Sequence, residues 1–258
     1  MYKHTKAIIN ACEKAAVNIS RDLIEINHLH GSKNLSKFVK SSQARFESNI
    51  AKELSSETSE IVLFSPDGTS KSINNSYRVA GNNSNFHASV IGIDNMINLG
   101  HGIENIAFGL SLEATDWHKI TAVYLPATNT AIYSENSEEF FSLSQDGLTR
   151  KIKVNQSVNI NFPTIVCATD HHNHQLNIKR EIHFVSSGSI LCDLVRVLQN
   201  KIDIAFYTRP SEEFLKFISY FVNGSGGADG FINGSYVFGK KLLVRSSMQK
   251  SAEGASQE

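Results

Sequence analysis

The sequence lacks an excess of charge of either sign and any long apolar run. Its 258 residues include 25 Lys and Arg and 25 Asp and Glu, so the formal net charge is zero. This balance provides no general attraction to nucleic acid or to an anionic membrane surface. No apolar run is long enough to span a bilayer, and the start does not form a secretory signal. We therefore expect a cytoplasmic protein with no membrane and no direct nucleic-acid partner.

Cysteine and proline are also scarce, with three and four residues respectively. Cys12, Cys167 and Cys192 are an odd, scattered set, which indicates reduced and buried thiols rather than a disulfide framework. Apolar residues make up 41% of the chain and charged residues 19%, which is typical of a soluble globular protein. The length suits one large domain or two small ones that share a core.

The N-terminal region predicts two helices. Apolar residues recur with helical spacing from 3 to 26, and Lys, Glu and Arg occupy the opposite face. Residues 28–37 are polar and predict a loop. A second helix is predicted over 42–54. Its apolar stripe consists of Phe46, Ile50 and Leu54.

Short apolar runs separated by turn residues predict a sheet in the first half of the chain. Ile61–Phe64 should be a strand, and Pro66-Asp67-Gly68 is a strong turn signal after it. The polar segment 134–157 suggests a boundary between an N-terminal α+β half, 1–145, and a C-terminal α/β half, 146–246. Four further runs predict antiparallel strands, at 86–93, 106–112, 120–125 and 130–133.

The second half alternates strand and helix patterns. Asn233-Gly234 is a type I′ hairpin signal between two apolar runs. Residues 247–258 have no apolar stripe and predict a disordered tail. The remaining predicted elements are strands at 160–168, 184–185 and 202–207, and helices at 189–199 and 211–222.

The stretch 89–102 is the most informative for function. Its apolar run ends at Asp94-Asn95, just before a predicted helix start. A carboxylate in this position can hold a hard cation, while free N–H groups of the helix can hold an anion. Asp94 is therefore a candidate metal ligand, and the backbones of Asn95 and Met96 are candidate phosphate donors. The competing interpretation is that Asp94 only caps the helix, and the substitutions at the other ligand positions, given below, favour it.

This stretch resembles the metal-binding loop of the inositol monophosphatase family, Asp-Pro-(Ile/Leu)-Asp-Gly-Thr-x-Asn followed by His-Gly. A second block, Phe184–Val195, resembles the family's Gly-Ser-Ala-Ala-Leu-Asp-Leu at Gly188 and Ser189. The resemblance covers about residues 5–246. It implies a layered α-β-α-β-α sandwich, usually dimeric, that hydrolyses phosphate esters with bound Mg²⁺. The loop residues that match the family are Asp94, Asn98, His101 and Gly102.

The resemblance also places the family's five carboxylate ligands on this chain. They correspond to Gln43, to Ser65 or Pro66, and to Ile91, Asp94 and Phe214. Only Asp94 remains a carboxylate, so four of the five positions are substituted. Hard divalent cations need clustered oxygen ligands, which Ile91 and Phe214 cannot supply. We expect both side chains to converge near Asp94, where Mg²⁺ would lie.

Two function classes follow from these substitutions. One is a pseudoenzyme of the family without a cofactor, which serves as a binding or assembly protein, as a homodimer or with another protein. The alternative is an active or residual Mg²⁺-dependent phosphatase that hydrolyses inositol 1-phosphate or a related sugar phosphate. It would need substitute ligands from Asp67, Glu47, Glu213, Asp170 or Glu104.

A histidine-rich stretch offers a separate metal hypothesis. Asp170, His171, His172 and His174 lie close together in sequence. However, adjacent residues on a strand face opposite ways, and no second ligand cluster is evident elsewhere in the sequence. The pattern therefore favours a solvated loop, and a metal site stays the alternative.

Overall fold

The computed structural model describes residues 3–26, 28–29, 34–58, 60–65, 67–73, 86–114, 119–136, 138–157, 163–168 and 181–254. The chain divides into two compact units, Met1–Lys151 and Ile152–Glu258. Each unit packs helices against one mixed sheet, as the predicted combination of α+β and α/β requires. The boundary predicted between residues 145 and 146 lies in the polar segment 134–157, as does the division after Lys151, and it stays a prediction. Within the described ranges, no helix is long and apolar enough to cross a membrane.

Two long helices begin the first unit. Helix α1, Lys3–Ile26, confirms the predicted helix, and its apolar face is buried. Helix α2, Leu35–Leu54, begins seven residues before the predicted start, so the loop predicted over 28–37 is too long. The extra turns are stabilised by Val39, which packs on the core, and by the Arg45 guanidinium, which lies over the Phe38 ring of the same helix at 5.5 Å.

The first unit contains an eight-stranded sheet in the order β2-β1-β3-β4-β5-β6-β7-β8. The four runs predicted as antiparallel are β3 to β6, and their pairing is antiparallel. β1 and β3 pair in parallel, so Phe64 lies opposite Ile91 and the two strands end side by side. The strands are β1 Glu60–Phe64, β2 Ser70–Ser72, β3 Phe86–Ile91, β4 Phe108–Ala114, β5 Lys119–Leu125, β6 Thr130–Asn136, β7 Glu139–Leu143 and β8 Thr149–Ile152.

Strands β7 and β8 were not predicted, because β8 is largely polar and β7 is a short apolar run inside the polar segment 134–157. Only Phe140 of β7 is fully buried, and β8 has no buried residue. An apolar pattern this weak does not distinguish a strand at the end of a sheet from a loop. Pairing with β6 supplies the order that the sequence pattern lacks.

Aromatic packing and a buried ion cluster hold the first unit together. The Phe46 ring on α2 meets Phe108 of β4 edge-on, with 4.9 Å between ring centroids. On α1, the fully buried Asp22 accepts hydrogen bonds from Ser42 at 2.5 Å and from Arg45 at 2.8 Å, both on α2. These contacts fix the orientation of α2, whose Gln43 and Glu47 lie on the neighbouring turns.

The second unit has a five-stranded sheet in the order β10-β9-β11-β13-β12. The predicted hairpin turn is confirmed, because Asn233 and Gly234 both have positive φ, 49° and 82°. The predicted helices and strands of this half are also confirmed in type. The elements are β9 Thr164–Ala168, β10 Ile182–Val185, α4 Ile190–Leu198, β11 Ile204–Thr208, α5 Glu212–Gly224, β12 Ala228–Ile232, β13 Ser235–Gly239 and α6 Lys241–Gly254.

The final helix differs from the predicted disordered tail. α6 continues through residues 247–254, and residues 255–258 lie outside the described part. Val244 is buried in the core of this unit, and Leu243 and Met248 pack against it. These three apolar residues give the helix a contact with the sheet that the polar composition of the segment does not indicate.

Candidate functional site

The segment after β3 forms the centre of the candidate site. The Gly92 N–H donates to the Phe64 carbonyl at 3.0 Å, and the Asp94 N–H donates to the Ala107 carbonyl at 3.1 Å. These bonds carry the chain from the end of β3 toward the start of β4. The half-buried Asp94 also accepts a long hydrogen bond of 3.4 Å from the Ala107 N–H through its carboxylate.

Asp94 does not cap the short helix α3, Met96–Gly100, as the alternative interpretation predicted. The cap is Asn95, whose side-chain oxygen accepts from the Asn98 N–H at 2.9 Å. A capping residue must immediately precede the first helical residue. Asp94 lies one residue too early and bonds to Ala107 instead. Its carboxylate is therefore not required to start the helix.

Asp94 lines a cavity of about 450 Å³ in the first unit. The cavity lies where α2, the ends of β1 and β3, and α3 meet. Its wall combines carboxylates and amides with large apolar side chains. The described lining residues are Gln43, Phe46, Glu47, Leu63, Ser65, Asp67, Gly92, Ile93, Asp94, Asn95, Met96 and Ile97.

Glu47, on the α2 side of this cavity, has hydrogen-bond donors on both carboxylate oxygens. The Gln43 side-chain amide donates to Oε1 at 3.1 Å. The Lys71 ammonium donates to Oε2 at 2.6 Å. Lys71 belongs to β2, which pairs with β1, so the β1–β2 hairpin brings this ammonium to Glu47. Protein groups thus already neutralise and coordinate this carboxylate.

Asp67 faces the cavity from the turn after β1. Its Oδ1 accepts from the Thr69 hydroxyl at 2.7 Å and from the Thr69 N–H at 2.9 Å. These two bonds lower the pKa of Asp67. Gly68 has a φ of 85°, and its N–H donates to the Ser65 carbonyl at 3.0 Å. The predicted turn is confirmed, and the structure adds that its carboxylate lines the cavity.

Comparisons with known proteins identify solved structures that share this architecture. No family model and no curated protein matches the sequence. The extragenic suppressor protein SuhB from Bartonella henselae is similar in structure, with a TM-score of 0.68 and 15% identity over 97% of this chain and 100% of that chain. Inositol monophosphatase II from Staphylococcus aureus MSSA476 has a TM-score of 0.67 and 13% identity over 98% of this chain and 96% of that chain. The chain has the inositol monophosphatase fold.

A third structure extends the comparison within that fold. CysQ from Bacteroides thetaiotaomicron, a bacterial member of the inositol monophosphatase family, has a TM-score of 0.59 and 13% identity over 93% of this chain and 98% of that chain. At these identities the likeness establishes the inositol monophosphatase fold, which the sequence pattern predicted. It does not carry over the activity of any of these proteins.

Two of the substituted ligand positions lie at the cavity of this inositol monophosphatase fold. Gln43 and Ser65 both line it and offer neutral oxygens. Ile91 is 3% exposed and is not among the described lining residues. Phe214 is buried in α5 of the second unit. The expected convergence of Ile91 and Phe214 near Asp94 stays a prediction.

The structure also sorts the substitute ligands that an active enzyme would need. Glu47 and Asp67 join Asp94 at the cavity, whereas the exposed Glu104 is not among its described lining residues. Glu213, in the second unit, pairs with Lys216 at 3.2 Å. Asp170 and the cluster His171, His172 and His174 lie outside the described residues. Within the described ranges, no three His, Cys, Asp or Glu residues are grouped closely enough to hold a metal ion.

The second block that resembles the family, Phe184–Val195, contributes to a buried polar network around Asp193 of α4. Asp193 is 0% exposed. It accepts hydrogen bonds from the Arg196 guanidinium at 3.0 Å, from the Cys167 thiol at 2.6 Å and from the Tyr207 hydroxyl. Ser189 caps α4 by accepting from the Cys192 N–H at 3.0 Å. Every donor in this network comes from the second unit, and the network ties α4 to β9 and β11.

The sequence patterns did not predict a functional or structural role for Lys71 or for Asp193. Lys71 lies 24 positions after Glu47 in a polar stretch, so only the β1–β2 hairpin shows that the two meet. The turn signal at Asp67-Gly68 could have indicated this hairpin, because it returns the chain alongside β1. For Asp193, an acidic residue between apolar neighbours in a helix was a usable signal of a buried carboxylate.

Proposed function

We propose that this chain is a member of the inositol monophosphatase family that has lost Mg²⁺-dependent phosphatase activity. It serves as a binding or assembly protein, in the cytoplasm and as a homodimer. The observation that carries this proposal is the state of Glu47, whose two oxygens bind the Gln43 amide and the Lys71 ammonium. An ammonium at 2.6 Å occupies one of the oxygens that a metal ion would need.

The other cavity residues support the same conclusion, because they do not fit a Mg²⁺ centre. Mg²⁺ requires near-octahedral oxygen ligands and gives up its water reluctantly, so it is held by carboxylates together with substrate phosphate. Gln43 and Ser65 are neutral, and Asp67 uses one oxygen for two bonds to Thr69. Asp94 alone is a poor Mg²⁺ ligand set. General acid–base help without a metal contributes only about 10²–10⁴-fold, far less than phosphate monoester hydrolysis requires.

Two measurements on the full chain test the proposal. Calorimetric titration with Mg²⁺, with and without inositol 1-phosphate, should show no saturable heat. Phosphate release from inositol 1-phosphate should stay at background with and without Mg²⁺. Turnover that depends on Mg²⁺ and disappears in Asp94→Asn would overturn the proposal, because it would mean that substitute carboxylates form a working site.

One observation favours the second candidate, an active or residual phosphatase. The cavity brings together Glu47, Asp67 and Asp94, and two of these were named as substitute ligands. For this function, the Lys71–Glu47 pair would have to open when substrate and metal bind. An exposed ion pair contributes only about 0–1 kcal/mol, so such opening is energetically accessible. The same calorimetric and phosphate-release measurements separate the two candidates.

The homodimer has its own test. The net charge of zero gives no global electrostatic repulsion between copies of the chain. Light scattering over a range of concentrations should give twice the mass of 28.5 kDa. A monomeric mass at high micromolar concentration would contradict this part of the proposal and leave the catalytic part unaffected.

A further inference from the structure

We propose that the cavity of the first unit is an anchor pocket for a basic side chain, Arg or Lys, of a protein partner. This inference rests on the proposed function, because bound Mg²⁺ would compete with a basic side chain for the same carboxylates. It identifies the chemistry of the partner that a binding or assembly protein of this kind would contact. The occupant is a short segment with a basic residue between apolar ones.

The charge of the cavity wall supports a cationic occupant. Its described lining contains the carboxylates of Glu47, Asp67 and Asp94 and no Lys, Arg or His, and because Lys71 neutralises Glu47, the negative charge of the wall comes from Asp67 and Asp94. Asp67 stays ionised at neutral pH, since the hydroxyl and N–H of Thr69 both bind its carboxylate. A cation that enters this cavity therefore gains Coulomb energy, whereas an anion such as phosphate would be repelled by the same groups.

The chain itself shows that this wall accepts an alkylammonium. The Lys71 Nζ lies 2.6 Å from Glu47 Oε2, although the lysine side chain is 56% exposed. Lys71 approaches from β2 and is not among the described lining residues, so the cavity remains open beside this pair. Its volume of about 450 Å³ falls in the range of ligand pockets, about 300–1,000 Å³, and admits a complete side chain with part of its backbone.

The apolar part of the wall fits the carbon stem of such a side chain. Lys and Arg bury their methylene stems on apolar surface while their charged ends reach polar groups. Arg has the better geometry of the two, because its planar guanidinium can donate to more than one carboxylate. The apolar lining residues are Phe46, Leu63, Ile93, Met96 and Ile97.

An exposed isoleucine of this wall offers a contact for the flanking residues of the partner. Ile97 lines the cavity and is nevertheless 72% exposed. Ile103 is 44% exposed, and its N–H donates to the Asn98 carbonyl of α3 at 2.8 Å, so it follows the same short helix. A charged cavity beside exposed apolar side chains suits a segment in which apolar residues flank the basic one.

The first experiment uses three peptides and the full chain labelled with ¹⁵N, without Mg²⁺ or phosphate. The peptides are acetyl-Leu-Arg-Leu-amide, acetyl-Leu-Gln-Leu-amide and acetyl-Leu-Glu-Leu-amide. We expect the arginine peptide to shift the amide signals of residues 92–97 and to bind at least about tenfold more tightly than the glutamine peptide. Binding should weaken as salt concentration rises. Equal binding of the arginine and glutamine peptides would overturn the proposal.

Matched variants locate the contact. Asp67→Asn keeps an oxygen that can accept the Thr69 bonds, and it should weaken the arginine peptide about fivefold. Asp146→Asn is the control, because Asp146 accepts from the Ser144 hydroxyl and the Leu148 N–H in a similar turn but is not among the described lining residues. It should leave binding unchanged. If the two variants weakened peptide binding equally, the peptide would respond only to the net charge of the protein. That result would overturn the proposed anchor pocket.

Two further results separate this inference from the proposed function. Ile97→Ser should weaken the arginine peptide more than it weakens acetyl-arginine-amide, because Ile97 can contact both the arginine stem and a flanking leucine, and acetyl-arginine-amide lacks the leucines. Mg²⁺ should compete with the peptide no better than NaCl of the same ionic strength. Stronger competition by Mg²⁺, combined with the expected variant effects, would mean that the pocket is real but also holds metal. That result would contradict the proposed loss of activity rather than the anchor.

Discussion

In the second unit, the Asp193 carboxylate is fully buried and accepts hydrogen bonds from a guanidinium, a thiol and a hydroxyl. In the first unit, the carboxylates of Asp67 and Asp94 line an open cavity, where Asp67 accepts hydrogen bonds from Thr69 in its own turn and Asp94 accepts one from the Ala107 N–H before β4. The first carboxylate is enclosed by its donors. The other two keep part of their surface available.

This difference separates a structural carboxylate from one that can meet a ligand. A buried charge must be satisfied by the protein, so removing it leaves several donors unpaired in the interior. A carboxylate at a cavity has solvent as an alternative partner, so the fold depends on it much less. The cavity acids are therefore available for binding, and stability measurements on single variants can test this distinction.

Asp193→Ala should have the largest effect. It leaves the Arg196 guanidinium, the Tyr207 hydroxyl and the Cys167 thiol without their acceptor, and we expect a loss of about 3–5 kcal/mol in the free energy of unfolding. Urea unfolding followed by circular dichroism measures this loss. Asp146→Ala, at an exposed turn, should cost less than about 1 kcal/mol. Similar losses in Asp193→Ala and Asp146→Ala would mean that the buried carboxylate contributes no more to stability than an exposed one.

Asp22 is a buried carboxylate of the first unit, and it allows buried and cavity carboxylates to be compared within one unit. Burial alone would raise the pKa of Asp22, but hydrogen bonds from Ser42, Arg45 and Arg21 outweigh it and lower the pKa. A carboxyl whose folded pKa is lowered contributes stability above its ordinary pKa of about 3.9, and this contribution disappears as the pH falls through the folded value.

Asp22→Asn should therefore be less stable than wild type at pH 6, by about 1.5 kcal/mol. The difference should shrink as the pH falls below about 4, because the unfolded wild-type chain then takes up a proton at Asp22 that the folded protein takes up only at lower pH. Urea unfolding of both proteins between pH 6 and 3 measures this convergence. A difference that stays constant over this range would mean that Asp22 acts through its shape rather than its charge.

Cys167 tests the donors of the Asp193 network singly. Burial, followed by the charge of Asp193, raises the pKa of the Cys167 thiol to about 12, so it remains a protonated donor at neutral pH. Cys167→Ala removes one of three donors and should cost about 1 kcal/mol. Cys167→Ser keeps an O–H donor and should cost less. The order of these two variants in urea unfolding is the result that matters, and the reverse order would mean that the thiol only fills space.

Local signals in the sequence were sufficient for much of the fold. The helical spacing over α1 and the Asn233-Gly234 turn each specify one conformation without help from distant residues. The start of α2 could not be predicted, because its cap residue Asn34 makes no side-chain capping bond. Strand β7 depends on pairing with β6, and β8 depends on its place beside β7 at the end of the sheet, and both are tertiary effects.

The candidate site was predictable only in part. Asp94 was singled out from the strand end and the glycines that follow it, and it lines the cavity, while its role as a ligand stays a prediction. The role of Asp94 as a cap was wrong, since the cap is Asn95. The Lys71–Glu47 pair was missed because it joins a helix and a hairpin that are distant in sequence. An ion pair between residues that are distant in sequence depends on the fold and cannot be predicted from sequence spacing.

Asp94→Asn should have the smallest effect on stability, below about 0.5 kcal/mol. Asn keeps an oxygen that can accept the long bond from the Ala107 N–H, and the Asp94 N–H can still donate to the Ala107 carbonyl. The helix start is also unaffected, because Asn95 provides its cap. The variant therefore removes the charge of Asp94 and keeps these backbone contacts.

The measurement is urea unfolding of Asp94→Asn beside wild type and Asp193→Ala in the same buffer. A small loss in Asp94→Asn and a large one in Asp193→Ala would establish that the cavity carboxylate is dispensable for the fold. A loss of 2 kcal/mol or more in Asp94→Asn, about the cost of an unsatisfied buried group, would instead make Asp94 a structural carboxylate like Asp193. In that case Asp94→Asn could no longer serve as the control in the phosphate-release assay, because lost turnover could then result from unfolding.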